Sequence, residues 1–166
     1  GPVGFELEPI DAAIRRLKDG ETAGWPTTTD RGLPIDALGW PDPSAVVTKA
    51  GGKVLGTVRH PFPGTDFSSF LLQAQASKAK IIGLANAGGD TTNSIKQAAE
   101  FGIVKGGQNL AGLLVFITDV HSLGLQTAQG LIFTETFYWD MNDQSRAFAK
   151  RFAAANKGIH PTMIHA

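Results

Sequence analysis

From Ser44 onward, short runs of consecutive apolar residues alternate with stretches whose apolar positions recur every three or four residues. The first pattern marks strands buried on both faces, the second amphipathic helices. Ser44 is placed to cap a short helix through Ala50, which Gly51 and Gly52 terminate. Residues Lys53 to His60 (KVLGTVRH) read as a strand and Pro61 to Gly64 as a loop. Thr65 or Asp66 then caps a helix to about Lys78, with Phe67, Phe70, Leu71 and Ala74 on one face. A buried strand is expected over Lys80 to Ala85 (KIIGLA), followed by a glycine-rich turn from Asn86 to Asp90. A helix is expected from about Thr91 to Phe101. Two more strands are expected over Gly112 to Thr118 (GLLVFIT) and Gly130 to Phe137 (GLIFTETF). A last helix runs from about Asp143 to Asn156, with Phe148, Phe152 and Ala155 inward.

Strand–helix alternation with short connections implies βαβ units. The expected fold class is α/β: a three-layer sandwich with a mostly parallel sheet, as in a flavodoxin-like or Rossmann-like lobe. Residues 1–43 have another texture. Beyond the initial Gly1-Pro2 they contain Pro9, Pro26, Pro34, Pro41 and Pro43, and Trp25 and Trp40 each precede one directly. Only Pro9 to Lys18 reads as helix there, with Ile10, Ala13, Ile14 and Leu17 on one face and Gly20 at its end. The chain therefore divides into a Pro-rich segment, 1–43, and an α/β lobe, 44–166.

Composition narrows the function classes. Hydrophobic residues make up 42 % and charged residues 18 %, and 166 residues suit one globular domain. Lys and Arg balance Asp and Glu at 15 each, and no basic run exceeds Arg15-Arg16, which argues against nucleic acid as a partner. No apolar run reaches the ~18–20 residues of a membrane span, so membrane insertion is not expected. There is no cysteine, which removes disulfides and thiolate metal sites. Gly1-Pro2 matches the pair left when a tag is removed by proteolysis, and no secretion signal opens the chain.

In open α/β sheets, ligands sit outside the carboxyl ends of the strands. Three such ends can be named. The first is Ala87-Gly88-Gly89-Asp90, where glycines allow close backbone approach and a helix start offers free N–H groups to a carboxylate or phosphate. A tight turn with an Asp or Thr cap explains the same residues. The second is Asp119-Val120-His121-Ser122. Asp and His at a strand end suit acid–base work, but His121 and Ser122 are sequence neighbours and no nucleophile-elbow pattern surrounds Ser122, so a ligand contact or loop polarity fits better. The third is Phe137-Tyr138-Trp139-Asp140: three aromatics in a row cannot all enter one core, so they wall a pocket or close the sheet.

Other chemistry is not encoded. No dinucleotide fingerprint and no phosphate-binding loop ending in Gly-Lys-Ser/Thr is present. His60, His121, His160 and His165 are scattered, so no metal site and no cofactor are expected. A small enzyme using Asp90, Asp119 and His121 lacks a complete constellation, and catalysis is not expected.

The stretch from Ser44 to His165 resembles the second lobe of type I periplasmic binding proteins, the solute receptors of ABC importers for branched-chain amino acids, amides and aromatic acids. The words that carry the resemblance are SAVVTKAGGKVLGTVRHPFPGTDFSSF, then KIIGLANAGGDTTNSIKQAAEFGI, then FITDVHSLGLQTAQGLIFTETFYWDMNDQSRAFAKRFAAAN. The resemblance implies a non-catalytic, periplasmic solute-binding lobe. Its ligand would be a small hydrophobic or aromatic amino or organic acid held between two lobes, and its partner in the complete receptor an ABC permease. It implies ligand contacts at Ala87, Gly88, Gly89 and Asp90, and at Asp119, Val120 and His121. Asp119 matches a place where relatives put an acidic group for the ligand's ammonium, and Phe137 to Asp140, with Tyr138 and Trp139, would lie near the crossover between lobes.

Residues 1–43 match nothing recognised in the family, and the lobe is expected to be truncated at both ends, with weak binding on its own. The alternative reading is an engineered or recombined folding unit, a chimera without ligand function. In it, residues 1–43 cover the open sheet edge within the chain or across a homodimer.

Overall fold

The computed structural model describes residues 23–26, as backbone, and 43–166. The helix expected over Pro9 to Lys18 lies outside the described residues. The elements follow in the order β1 (Ala23–Pro26), α1 (Pro43–Lys49), β2 (Val54–Val58), α2 (Ser68–Ala76), β3 (Ile81–Leu84), α3 (Gly88–Glu100), β4 (Asn109–Gly112), α4 (Ile117–Leu123), β5 (Leu131–Phe133) and α5 (Asp143–Ala155), with a last 3-10 turn at Met163–His165.

All strand pairs are parallel and the sheet order is β2-β1-β3-β4-β5. This is the doubly wound order of flavodoxin-like folds, and the α/β expectation holds. The chain moves outward from β1 to β2, then crosses back over β1 to β3, so the direction of winding reverses between β1 and β3. Such a reversal opens a crevice at the strand ends.

The faces are sorted by side-chain alternation. Ile82, Leu84 and Leu110 join Phe67 and Leu71 beside α2, Ile95 and Ala98 of α3, and Leu123 of α4 in one core cluster. Ile81 points the other way, onto Val47 of α1 and the half-buried Val54 and Ala111. Burying a side chain such as Ile82, 1 % exposed, stabilises the fold by roughly 1.5–3 kcal/mol before ordering costs. In α3 the buried residues Asp90, Thr91, Ser94, Ile95 and Ala98 follow helical spacing.

Two expectations need correction. GLLVFIT is not a strand from Gly112 to Thr118. The strand ends at Gly112, and Ile117 to Leu123 is helix. The chain turns there because Val115 folds back onto Gly112, where any Cβ would collide with the Val115 side chain. Leu113 and Leu114 are consequently exposed. A continuous apolar run does not distinguish a buried strand from a strand, turn and helix in succession. The second correction is β1. The Pro-rich segment, in which only a helix was expected, supplies an inner strand between β2 and β3, Ala23–Pro26, with Ala23 in register with both Val54 and Ile81.

The other boundaries move by a few residues. The helix after KIIGLA begins at Gly88 rather than Thr91. Asp66 does accept from the backbone N–H of Ser68, at 2.9 Å, at the start of α2. Its carboxyl is held below its ordinary value by the Ser68 hydrogen bonds. At the start of α5, Asn142 and Ser145 cap one another reciprocally: Asn142 Oδ1 accepts from the Ser145 N–H and Ser145 Oγ from the Asn142 N–H, both at 2.9 Å.

Candidate ligand-binding rim

Because all five strands are parallel, the segments following β2, β3, β4 and β5 leave the same edge of the sheet. That edge carries the three turns named in the sequence, at Ala87 to Asp90, Asp119 to Ser122 and Phe137 to Asp140.

At the β3–α3 turn, Asn86 is buried and acts as a hub. Its amide donates to Ser94 Oγ at 2.9 Å and faces His60 Nε2 at 3.4 Å. Its carbonyl accepts from Thr91 Oγ1 at 3.0 Å, and the Ser94 hydroxyl donates to the Asp90 carbonyl at 2.8 Å. His60 Nδ1 lies 2.8 Å from the Pro61 carbonyl, which can only accept. Nδ1 therefore carries the hydrogen and Nε2 accepts from Asn86. Every polar group of this buried set has a partner.

Asp90 lies in the first turn of α3, where the helix dipole favours its charge, and is 5 % exposed. Both carboxylate oxygens accept from the Gly64 N–H, at 3.2 and 3.1 Å, fixing the β2–α2 loop beside α3. Neither Asp90 nor Thr91 caps the helix. The cap position is Ala87, without a side-chain hydrogen bond, and Gly88 and Gly89 after it are exposed. Gly88 has φ +56°, a conformation that side chains disfavour, so the chain reaches the helix through a glycine.

At the β4–α4 turn the helix start is filled by the chain's own acids. Asp119 Oδ2 accepts from the Phe116 N–H at 2.9 Å, and Glu135, which follows β5, accepts from the Ile117 N–H at 3.1 Å. Burial raises the Glu135 carboxyl above its ordinary value; the Ile117 hydrogen bond opposes this and the nearby Asp119 charge adds to it. Val120 is buried with Val115 and Ile117 in a core cluster. His121 is exposed on α4, and the Ser122 hydroxyl donates to the Asp119 carbonyl at 2.8 Å, so no Ser–His pair is formed.

After β5 the three aromatics diverge. Phe137 stands edge-on to Phe148 of α5, with centroids 5.9 Å apart at 83°. Tyr138 packs against the Val115–Val120 cluster. Its hydroxyl is pushed above its ordinary value by burial and by the Asp140 and Glu135 charges. Trp139 stacks face to face with His160, 3.9 Å and 8°, pinning the last residues to this turn.

The rim thus gathers Asp119, Glu135 and Tyr138 around the start of α4, and Ala87 to Asp90 around the start of α3; α3 and α4 are packed neighbours. Glu135 and His60 escaped sequence reasoning. Glu135 sits in a run read as strand, where it counts as an outward residue, and His60 looks like the end of a strand. Among the described residues no cluster of His, Asp or Glu is placed to hold a metal ion. Nor is any helix there long and apolar enough to cross a membrane.

A doubly wound parallel sheet with polar turns gathered along its carboxyl edge defines an α/β lobe of small-molecule-binding type. The chain belongs to the periplasmic binding protein family, whose model matches residues 28–166. The match starts ahead of Ser44, where the sequence resemblance begins. A solved periplasmic binding protein from Burkholderia mallei is 49 % identical, with TM-score 0.74 over 92 % of this chain and 40 % of its own. A branched-chain amino acid ABC transporter periplasmic ligand-binding protein from Burkholderia xenovorans is 37 % identical, with TM-score 0.75 over 93 % and 41 %. An ABC transporter solute-binding protein from Rhodopseudomonas palustris, in complex with p-hydroxybenzoic acid, is 26 % identical, with TM-score 0.69 over 89 % and 40 %. The chain spans about two-fifths of the length of these structures. No curated protein matches it.

Proposed function

We propose that this chain supplies one wall of the solute site of an ABC-importer receptor. It takes a small hydrophobic or aromatic amino or organic acid without catalysis, in the periplasm, with an ABC permease as the partner of the whole receptor. The observation that carries the reading is the unequal state of the two neighbouring helix starts. That of α4 is occupied by Asp119 and Glu135. That of α3 begins at Ala87 with no side-chain cap, with Gly88 and Gly89 exposed. A ligand carboxylate belongs at the second, where N–H groups and the dipole favour an anion. An ammonium belongs near Asp119 and Glu135, with Tyr138 and Trp139 beside the apolar part. Val120 supports this wall from the core, and His121 and Asp90 flank it. The names of the relatives, one for branched-chain amino acids and one with bound p-hydroxybenzoic acid, agree in ligand class.

A site closed between two lobes buries 70–90 % of a small ligand. One wall supplies a part of those contacts, so this chain binds weakly. The test is a titration followed by amide chemical shifts, with leucine, phenylalanine, benzoate and 4-hydroxybenzoate as probes. Weak, saturable shifts at Ala87 to Asp90 and at Tyr138 and Trp139 are expected. Shifts confined to other residues, or sub-micromolar affinity, contradict the proposal.

A second reading, a folding unit that self-associates, is favoured by apolar side chains open to solvent on both edge strands: Leu55 of β2 and Ile132 of β5 are 40 % and 39 % exposed. Light scattering on the eluting protein separates the two readings. A stable dimer supports the second.

A further inference from the structure

A cavity of about 180 Å³ lies beneath α2, bounded at one end by Asn86 and Ser94 of the β3–α3 turn. Its walls are mainly apolar: Phe67, Phe70, Leu71 and Ala74 from α2 and its approach, and Ile82 and Leu84 from β3. The polar lining is His60, Asn86 and Ser94, hydrogen-bonded to one another, with Thr57, Gln73 and Ser77 nearer the exposed side. The His60 ring stands edge-on to Phe67, 4.7 Å and 90°, and tilted to Phe70 at 5.9 Å.

Sequence and register account for the open volume. β1 runs between β2 and β3, and Gly24 is the residue in register with Ile82. In-register residues of a parallel pair share a face. The Ile82 side chain joins Phe67 and Leu71. Gly24, as a glycine, therefore brings no side chain to that face at this level. Gly56 of β2 also lines the cavity, and a Cβ added there meets nothing within 4 Å. Two glycines in neighbouring strands leave open space beside the core, on the side where Gly56 itself is exposed.

We propose that this cavity is a binding site for a small uncharged aromatic molecule, a single ring of benzene or toluene size, distinct from the site at Ala87 to Gly89 and Asp119, with which it shares only the Asn86–Ser94 wall. An apolar cavity of about 150 Å³ is known to stay dry and accept benzene, so the volume fits one ring. Phe67, Phe70 and His60 offer ring edges and faces to it. Among the described residues, no Lys, Arg, Asp or Glu lines the cavity. With no cationic partner among those residues, a carboxylate is disfavoured there, unlike at the rim. The inference does not depend on the rim binding a solute.

Toluene is the probe, added to the whole chain and followed by methyl and aromatic chemical shifts and by the thermal midpoint. Saturable shifts at Leu71, Ile82 and Leu84 with a rise in midpoint are expected. Gly56→Val and Ala74→Leu, each filling the cavity from a different wall, should abolish both effects. Gly56→Val also suits a strand, so its fold should persist; if either variant fails to fold, the other decides. Excess benzoate should leave the toluene shifts unchanged. Absence of saturable toluene binding overturns the proposal. So does binding that survives the substitution in a folded variant, or displacement of toluene by benzoate.

Discussion

Asp90 and Gly64 are 26 positions apart in the chain, yet one backbone N–H is shared between both oxygens of one buried carboxylate. The contact joins the first turn of α3 to the loop that leads into α2, so the geometry of one rim segment is dictated by another. Asp90 thereby holds part of the rim's scaffold. Replacing it with alanine leaves the Gly64 N–H without its partner and should cost about 1–3 kcal/mol. Urea unfolding measures this. Asp90→Asn, which keeps an acceptor oxygen, should cost less.

Asn86 is the second scaffold residue of the rim. Asn86→Ala removes the partner of Thr91 Oγ1, of His60 Nε2 and of Ser94 Oγ at one stroke. The loss expected for buried polar groups left unpaired is about 1–3 kcal/mol or more. Thermal unfolding of the single variant, compared with Asn86→Ala combined with Ser94→Ala, should show the two changes to be non-additive, because they break one network.

Glu135 gives a pH signature. Its carboxyl is raised in the folded chain above the ordinary 4.5, so the folded state holds this proton more tightly than the unfolded state. The resulting contribution to stability is complete below 4.5 and is lost as pH rises through the raised value. Glu135→Gln keeps an oxygen for the Ile117 N–H and removes the charge. Its stability relative to the unaltered chain should therefore improve with rising pH above 4.5 and then level off. A difference that is flat with pH would contradict the assignment.

Gly112 is required for steric reasons. A methyl group there meets the Val115 side chain, so Gly112→Ala should destabilise by about 1–3 kcal/mol, as overpacking does. Gly112→Ala combined with Val115→Ala should recover part of that loss, and denaturant melts of the three chains check it.

Much of the lobe was legible because local pattern and tertiary role agree. KIIGLA forms a strand buried on both faces, and the residues from Phe67 to Ala74 present one apolar stripe. The reading failed where they disagree. GLLVFIT is apolar throughout, and what ends its strand is a close approach at Gly112 that no periodicity displays. Ala23–Pro26 contains a glycine and a proline, both poor in sheet interiors, and is a strand only because β2 and β3 flank it. At the rim, Ala87 to Gly89 were legible from position after a strand. Val120 was misplaced with the strand end, since inside α4 its side chain turns to the core. Glu135 was hidden, because its bond to Ile117 links segments 18 residues apart.

The position of β1 has a further consequence. In the backbone ladder it is the single seam between β2 on one side and β3, β4 and β5 on the other. Opening those four residues would unzip the ladder into two blocks even while β3 to β5 stayed paired. The amides of Val54 to Val58 should therefore exchange with solvent in step with β1, as one cooperative unit, and ahead of those in Ile81 to Leu84.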